Sequence, residues 1–289
     1  MTPWPGQHEP WPGQHEPWLC QHEPVNPVAG DGAAAPFRAD TYGESFAEVY
    51  DQWYGEVSDA EAAARFVAAR CQGGPVLELG VGTGRLAQPL LANGVSVIGL
   101  DASEAMLSRC AARGLGPDLY LVRADMAALP FRGLFGAVLI GFNTLFNLAT
   151  EAEQRALFQE LGPLLAPTGV LVVEANDTGV LAGPVDQSRG PRRSIGVRSA
   201  DAQQLTVVGT MVDPATQTIT GQHVELSATG VRFRPWRLRW ATRAQIDDYA
   251  AAAGLELAER YTGWNEAVSP TDTHVSVYRP IGQQLLPHS

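Results

Sequence analysis

The sequence predicts an α/β fold: a doubly wound sheet with helices on both faces, and an antiparallel β insertion before the last helix. Three observations support this prediction. Short apolar runs, rich in β-branched residues, alternate with helical patterns through residues 58–174. From residue 194 to 240 the pattern becomes that of successive antiparallel strands. A helical pattern and two further strand-like runs follow the insertion.

Five runs predict the parallel strands of the core sheet. They are apolar nearly throughout, as expected where helices cover both faces of a sheet. Two later runs would bring the sheet to seven strands. The five runs are 76–79, 95–100, 119–122, 137–142 and 170–174, and the two later ones are 255–261 and 274–278.

Four helix starts are visible in the sequence. Aromatic and apolar residues recur at three- and four-residue steps through 42–54, which predicts one amphipathic helix. Three capping boxes predict the others, because a hydroxyl side chain is followed three residues later by an acid or an amide. The pairs are Ser58 with Glu61, Thr150 with Glu153, and Thr242 with Gln245.

The chain divides by pattern into a tail, a core domain and an insertion. Its first residues repeat Trp-Pro-Gly-Gln-His-Glu, and proline in each unit opposes helix, so a disordered or extended tail is expected. The insertion is expected to act as a substrate lid or an oligomer contact. The predicted boundaries are 1–36 for the tail, 37–193 for the core with an N-terminal lid helix, 194–241 for the insertion, 242–280 for completion of the core, and 281–289 for a second tail.

Composition excludes several classes of function. The formal net charge of −11 opposes binding to nucleic acid, which requires cationic neutralisation. All 20 basic residues of the lysine and arginine set are arginine, which excludes phosphate-loop NTPases and pyridoxal enzymes. The three cysteines have no metal-ligand spacing and are expected to be reduced thiols of a cytoplasmic protein without a metal. No apolar run approaches the roughly 20 residues that cross a bilayer, so no membrane association is expected.

A glycine loop follows the first predicted strand. Residues 76–84 read VLELGVGTG, and glycine lets the backbone turn tightly and approach a ligand. The spacing Gly-x-Gly-x-Gly differs from the dinucleotide pattern, and Glu78 would repel a diphosphate. About twenty residues later Asp101 ends the second strand, where a carboxylate can accept from ribose hydroxyls. These two differences make a NAD(P)-dependent oxidoreductase only an alternative interpretation of the loop.

The loop and two later segments resemble the class I S-adenosylmethionine-dependent methyltransferases of small-molecule, bacterial natural-product type. The segments are 76–84, DASEAML at 101–107 and RADM at 123–126. The resemblance implies a Rossmann-like seven-stranded sheet and methyl transfer from S-adenosyl-L-methionine, with S-adenosyl-L-homocysteine as product. The acceptor would be a nitrogen, oxygen or carbon of a small molecule, in secondary metabolism such as antibiotic biosynthesis. A protein that binds the cofactor without transferring methyl is the second alternative.

The resemblance also implies which residues hold the cofactor. The acidic residue and glycines of the loop would hold its methionine part, Asp101 its ribose and Asp125 its adenine amine. The lid helix would contribute aromatic residues. The full set is Tyr42, Tyr50, Glu78, Gly80, Gly82, Gly84, Asp101, Ala102, Met106, Asp125, Met126 and Phe142.

Candidate catalytic residues follow the fourth strand and lie in the insertion. Residues 141–147 depart from the Asn/Asp-Pro-Pro-Tyr motif of enzymes that methylate amide or nucleobase nitrogens. Asn143 is expected either to position the acceptor or to cap its own loop. His223 and Glu225 share one strand face, so His223 is a candidate base that Glu225 would orient, unless both lie on an exposed face. Glu174 is a second candidate base.

Arginines alternate with apolar residues through 232–240. They predict either an edge strand protected by charge or a site for an anionic, nucleotide-linked substrate. The aromatic side predicts an apolar acceptor equally well. A change of phase at Pro235-Trp236 predicts a β-bulge there. A homo-oligomer is possible.

Overall fold

The computed structural model describes residues 37–55, 57–72, 74–177, 190–264 and 273–282. The predicted tail at 1–36, and most of the one at 281–289, lie outside the described residues. The described strands are β1 Val76–Leu79, β2 Val97–Asp101, β3 Leu119–Arg123, β4 Phe135–Ile140, β5 Leu165–Asn176, β6 Arg192–Ala200, β7 Gln204–Asp213, β8 Thr218–Ser227, β9 Gly230–Arg239, β10 Leu255–Tyr261 and β11 Thr273–Pro280.

A seven-stranded sheet forms the core, in the order β10-β11-β5-β4-β1-β2-β3. The first five strands in the chain pair in parallel, and β11 pairs antiparallel with both β5 and β10. Every residue of β1 and β4 is buried, because helices cover both faces. The predicted seven-stranded α/β fold is confirmed.

The described α-helices are α1 Thr41–Phe46, α2 Tyr50–Tyr54, α3 Ala60–Ala68, α4 Ala87–Ala92, α5 Glu104–Ala112, α6 Glu151–Leu161 and α7 Arg243–Ala252. None of them is both long and apolar enough to cross a bilayer. Both capping boxes predicted for α6 and α7 are present, at Thr150 with Glu153 and at Thr242 with Gln245.

Two helix predictions were wrong in detail. The single helix expected over 42–54 is two short helices, because the chain makes a tighter turn after Phe46, where Val49 N donates to Phe46 O at 2.9 Å. Helix α3 is capped by Asp59, whose side chain accepts from Ala62 N at 2.9 Å, and not by Ser58. Ser58 Oγ instead accepts from Arg85 Nη1 at 3.0 Å.

The insertion forms a separate antiparallel sheet, in the order β6-β7-β8-β9, which we call sheet B. The bulge predicted at Pro235-Trp236 is absent, because β8 and β9 pair without interruption from Thr218 with Arg239 to Ser227 with Gly230. The Trp236 ring lies over Gly221 on the neighbouring strand, where a Cβ would be 2.1 Å from the indole. The alternation of arginine and apolar residues therefore shifts at Trp236 without a bulge. The strands keep a regular ladder, and the Trp236 ring occupies the space that the missing side chain of Gly221 leaves.

Candidate functional site

A cavity of about 660 Å³ opens at the carboxyl ends of β1, β2 and β4, the usual position of a ligand in an open α/β sheet. Helices α1 and α2 and sheet B supply the rest of its wall. Most of the residues predicted to hold a ligand line it: Tyr42, Tyr50, Gly80, Gly82, Asp101, Ala102, Met106, Asp125, Met126, Phe142, Asn143 and His223. Glu78, Gly84, Glu174 and Glu225 are not among the lining residues.

The glycine loop brings backbone to the cavity in conformations that favour glycine. Gly80 and Gly82 have φ of 69° and 56°, which side-chain-bearing residues rarely adopt. A Cβ on Gly80 would lie 2.6 Å from Thr144 Cγ2. Gly84 serves packing, because a Cβ there would lie 2.7 Å from the Cys110 sulfur.

Two aspartates stand at the ends of neighbouring strands. Asp101 Oδ2 accepts from Gly82 N and Oδ1 from Ser103 N, both at 2.9 Å, so the carboxylate is fixed against the glycine loop. Burial raises the pKa of Asp101, while these backbone hydrogen bonds oppose the rise. Asp125 Oδ1 accepts from Ala127 N at 2.9 Å. Each carboxylate keeps lone pairs for a ligand that carries hydroxyl or amine donors.

Glu78 is buried in β1 with an unsatisfied oxygen. Its side chain is 3% exposed, and Oε2 has no hydrogen-bond partner within the described part of the chain. Burial raises its pKa to about 8; the Arg85 charge opposes this rise and the Asp101 charge adds to it. An unpaired buried acid is costly unless a cation or donor approaches it.

The two lid helices form an aromatic wall anchored to the core. The Tyr42 ring stacks on Phe46 with centroids 4.6 Å apart and meets Tyr50 edge-on at 6.5 Å. Glu44 holds α1 in place, because its Oε1 accepts from Ser103 Oγ at 2.9 Å and Ala105 N at 3.1 Å. No local pattern in the sequence indicates this role of Glu44, because its partners lie about sixty residues further along the chain.

Glu174 supports the loop after β4. Its Oε2 accepts from Phe142 N at 2.7 Å and its Oε1 from Trp264 Nε1 at 2.7 Å. Phe142 and Asn143 have positive φ, at 29° and 61°, and Asn143 Oδ1 accepts from Asn176 N at 2.8 Å. Both carboxylate oxygens of Glu174 are therefore occupied in holding a strained stretch of the cavity wall.

His223 reaches the cavity, but its hydrogen-bond partner is not Glu225. Trp236 Nε1 donates to His223 Nδ1 at 3.1 Å, and Glu225 forms a two-point ion pair with Arg234 at 2.6 and 3.1 Å. An indole nitrogen can only donate, so the neutral imidazole carries its proton on Nε2. Burial lowers the pKa of His223 to about 4, and the Arg198 charge contributes. His223 is thus a neutral hydrogen-bond donor, and the expected pair in which Glu225 orients a basic His223 is absent.

Most arginines of β9 are already paired. Arg232 binds Glu48, Arg234 binds Glu225 and the backbone oxygen of Ser45, and Arg239 binds Glu151 at 3.0 Å. They tie sheet B to the lid and to α6, so their role is structural. Arg237 lines the cavity, and its Nη2 donates to Ala149 O at 3.2 Å.

Comparisons with known proteins agree on one activity. A family model described as a methyltransferase domain matches residues 76–169. The structure of the CcbJ methyltransferase from Streptomyces caelestis is 35% identical with a TM-score of 0.75, covering 84% of this chain and 99% of that one. The cypemycin N-terminal methyltransferase of a Streptomyces species is 28% identical, covering 75% of this chain and 87% of its own length.

A third relative was solved with S-adenosylmethionine bound. It is CalS10 from Micromonospora echinaspora, described as an amino pentose methyltransferase involved in calicheamicin biosynthesis. It is 25% identical with a TM-score of 0.59, and the match covers 80% of this chain and 96% of that one.

Proposed function

This chain belongs to the class I S-adenosylmethionine-dependent methyltransferases, and from that premise we propose that it methylates an amine nitrogen of a small molecule. The choice of nitrogen rests on the protonation and the hydrogen bonds of the side chains that line the cavity. Within the described residues, we find no lining side chain placed to act as a free general base.

The residues present fit S-adenosylmethionine. Glu78 has a buried oxygen without a partner, which suits a cofactor that brings positive charge. Gly80 and Gly82 present backbone to the cavity in positive-φ conformations, and Asp101 and Asp125 retain acceptor capacity at adjacent strand ends. We propose that Gly80, Gly82, Asp101 and Asp125 contact the cofactor and that the Glu78 carboxyl, which does not itself line the cavity, attracts its positive charge. The residues proposed to pack around the cofactor are Tyr42, Tyr50, Ala102, Met106, Met126 and Phe142. Gly84 supports the loop from outside the cavity.

The bound cofactor supplies a methyl group already activated on a sulfonium, open to in-line attack by a lone pair. The protein must therefore align the acceptor, exclude water and, for a weakly acidic acceptor, remove a proton.

Two of the three lining carboxylates, Asp101 and Asp125, are proposed to bind the cofactor and so do not face the acceptor, and all three also accept from backbone amides. Asp101 accepts from Gly82 N and Ser103 N, Asp125 from Ala127 N, and Glu153 from Thr150 N at 2.8 Å. Burial raises the pKa of the lining tyrosines, which keeps them as neutral phenols.

The remaining candidates cannot take a proton from the acceptor either. His223 presents Nε2–H. Neither Glu174 nor Glu225 lines the cavity: the Glu174 oxygens accept from Phe142 N and Trp264 Nε1, and the Glu225 oxygens accept from Arg234. An alcohol, with its very weakly acidic hydroxyl, requires a base, whereas an amine attacks as its free base and its product ammonium releases the proton to water. The descriptions of two relatives, as the cypemycin N-terminal methyltransferase and an amino pentose methyltransferase, support the same choice.

Sheet B is proposed to close the acceptor side. Gly196, Val208, His223, Trp236 and Leu238 contribute to the cavity wall, which supports the role of residues 194–241 as a substrate lid. The wall combines aromatic surface with the His223 Nε2–H donor. It suits an acceptor with an apolar body and an oxygen near the reacting amine. Asn143, whose amide oxygen is taken by Asn176 N, is proposed to shape the wall and not to bind the acceptor.

The test uses matched acceptors. The full chain is incubated with S-adenosylmethionine carrying a 13C methyl group and with pairs that differ only at the acceptor atom: an amino sugar against its hydroxy parent, and a peptide with a free against an acetylated N-terminus. Mass spectrometry should find label only on the amine member of each pair. Label on a hydroxyl with the paired amine untouched would refute the nitrogen assignment.

A further inference from the structure

Helix α2 covers one side of the cavity and is short. It has five residues, none of which is fully buried, and no side chain caps its N-terminus. A helix of this length is not stable by itself, so contacts with its neighbours hold it in place. Tyr50, its first residue, lines the cavity, and a Cβ on Gly82 would lie 4.0 Å from Tyr50 Cε1. A movement of α2 away from the glycine loop would therefore open the cavity above that loop.

Asp51, the next residue, joins α2 to the glycine loop. Its Oδ1 accepts from Thr83 Oγ1 at 2.5 Å, and its Oδ2 accepts from Arg113 Nη2 at 2.8 Å. Thr83 lies within the glycine loop and is fully buried. Arg113 follows α5 and also donates to Gln88 Oε1 on α4 at 3.1 Å. One carboxylate thus connects α2 to three elements of the core, and we call Asp51, Thr83 and Arg113 the latch.

The other contacts of the lid helices lead elsewhere. Helix α1 buries Gly43 and Phe46, and Glu44 holds it against α5. The end of α2 contacts sheet B, where Arg198 Nη2 donates to Trp53 O at 3.3 Å and the guanidinium lies 4.5 Å from the centre of the Trp53 ring. The latch is therefore the polar contact that ties the less buried lid helix to the loop beside the cofactor.

We propose that Asp51 is a positioning residue that sets the rate of cofactor exchange, because the latch holds α2 closed over the glycine loop. Its opening would admit S-adenosylmethionine and release S-adenosylhomocysteine. No latch residue lines the cavity, so the latch forms equally with and without a ligand. Loss of the latch should therefore speed entry and exit by the same factor and leave the dissociation constant unchanged. A residue that shaped the binding site itself would change that constant.

The test is stopped-flow fluorescence of the full chain with S-adenosylhomocysteine, with calorimetry for the dissociation constant, and it does not depend on the acceptor. Asp51→Ala should increase both rates about tenfold, the scale of a lost charge-assisted hydrogen bond, while the dissociation constant changes by less than about twofold. Thr83→Val leaves the pair of Asp51 with Arg113 and should increase both rates by a smaller factor. In the double variant the Thr83 substitution should add nothing to the effect of Asp51→Ala, because both remove the same hydrogen bond.

Glu256→Ala is the matched control. Glu256, on the edge strand β10, pairs with Arg279 at 2.8 Å, and its side chain is 42% exposed against 49% for Asp51. Its variant should keep the wild-type rates, and melting curves report the folding of every variant. Wild-type rates in folded Asp51→Ala would overturn the proposal. So would a weaker dissociation constant carried by faster exit alone, which would place Asp51 in the binding site itself.

Discussion

Replacement of Glu78 by glutamine tests the proposed cofactor site through its protonation. Glu78 is 3% exposed with an unpaired Oε2, and burial raises its pKa from an ordinary 4.5 to about 8. At neutral pH the side chain of the ligand-free protein is therefore mostly protonated. A cofactor with positive charge near this carboxyl favours the ionised form, so binding should expel the proton.

The magnitude follows from the same pKa. The difference between 4.5 and about 8 corresponds to roughly 5 kcal/mol of preference for the neutral acid, an order-of-magnitude figure for a fully buried group. Because the pKa is raised by folding, this stabilisation of the ligand-free protein is complete below pH 4.5 and is lost as the pH rises to about 8. Cofactor affinity should instead increase as the pH rises, by up to about tenfold per pH unit below pH 8.

The assay is calorimetric titration at neutral pH in two buffers of different ionisation enthalpy. For the wild type it should show release of close to one proton with S-adenosylmethionine, beyond what the ligand's own amine contributes. Glu78→Gln has no proton to release there and reports the ligand contribution alone. S-adenosylhomocysteine, which lacks the sulfonium, separates the effect of that charge from the effect of the ammonium. Equal proton release and equal pH dependence in both proteins would refute the reasoning.

Three further substitutions test other parts of the site. Asp101→Ala should weaken S-adenosylhomocysteine binding by about 1–3 kcal/mol, the scale of a lost charge-assisted hydrogen bond, and an unchanged dissociation constant in calorimetry would contradict its role. Glu174→Gln should lower the melting temperature and weaken cofactor binding, because an amide cannot accept from both Phe142 N and Trp264 Nε1. The methyl-transfer rate, once corrected for ionisation of the acceptor amine, should show no titration of His223 between about pH 5.5 and 7.5, because the His223 pKa is about 4.

The Glu174 substitution has a matched control. Glu153→Gln makes the same chemical change as Glu174→Gln at a helix cap, where glutamine serves equally, so its melting curve should match that of the wild type. An equal effect of the two glutamine variants would show that Glu174 has no special role. For His223, a rate step near pH 6.5 that His223→Gln abolishes would show a basic histidine and overturn the donor assignment.

The core fold and the cofactor end of the cavity could be predicted because their signals are local. Residues 76–84 contain both the strand and the loop that follows it, and Asp101 ends the adjacent strand at a fixed interval. Parallel strands bring their carboxyl ends together, so neighbouring strand ends converge without further information. The cytoplasmic location, expected from the cysteines alone, stays a prediction.

The acceptor end depends on contacts between distant segments. The shared strand face of His223 and Glu225 predicts that Glu225 orients His223. Arg234, on the next strand, binds the Glu225 carboxylate instead. The two-residue turn at 228–229 fixes the register of β8 against β9, and that register pairs His223 with Arg234 and so places Arg234 next to Glu225. Working out this register from the sequence would have indicated the ion pair. No local pattern would have indicated Trp264 as the partner of Glu174, ninety residues away.

The most direct test of the account is a crystal structure of the full chain with S-adenosylhomocysteine. The nucleoside should lie in the cavity beneath the lid helices, with its ribose hydroxyls within hydrogen-bond distance of Asp101 and its adenine amine at Asp125. Electron density for the ligand elsewhere, or in the cavity but out of reach of both carboxylates, would contradict it.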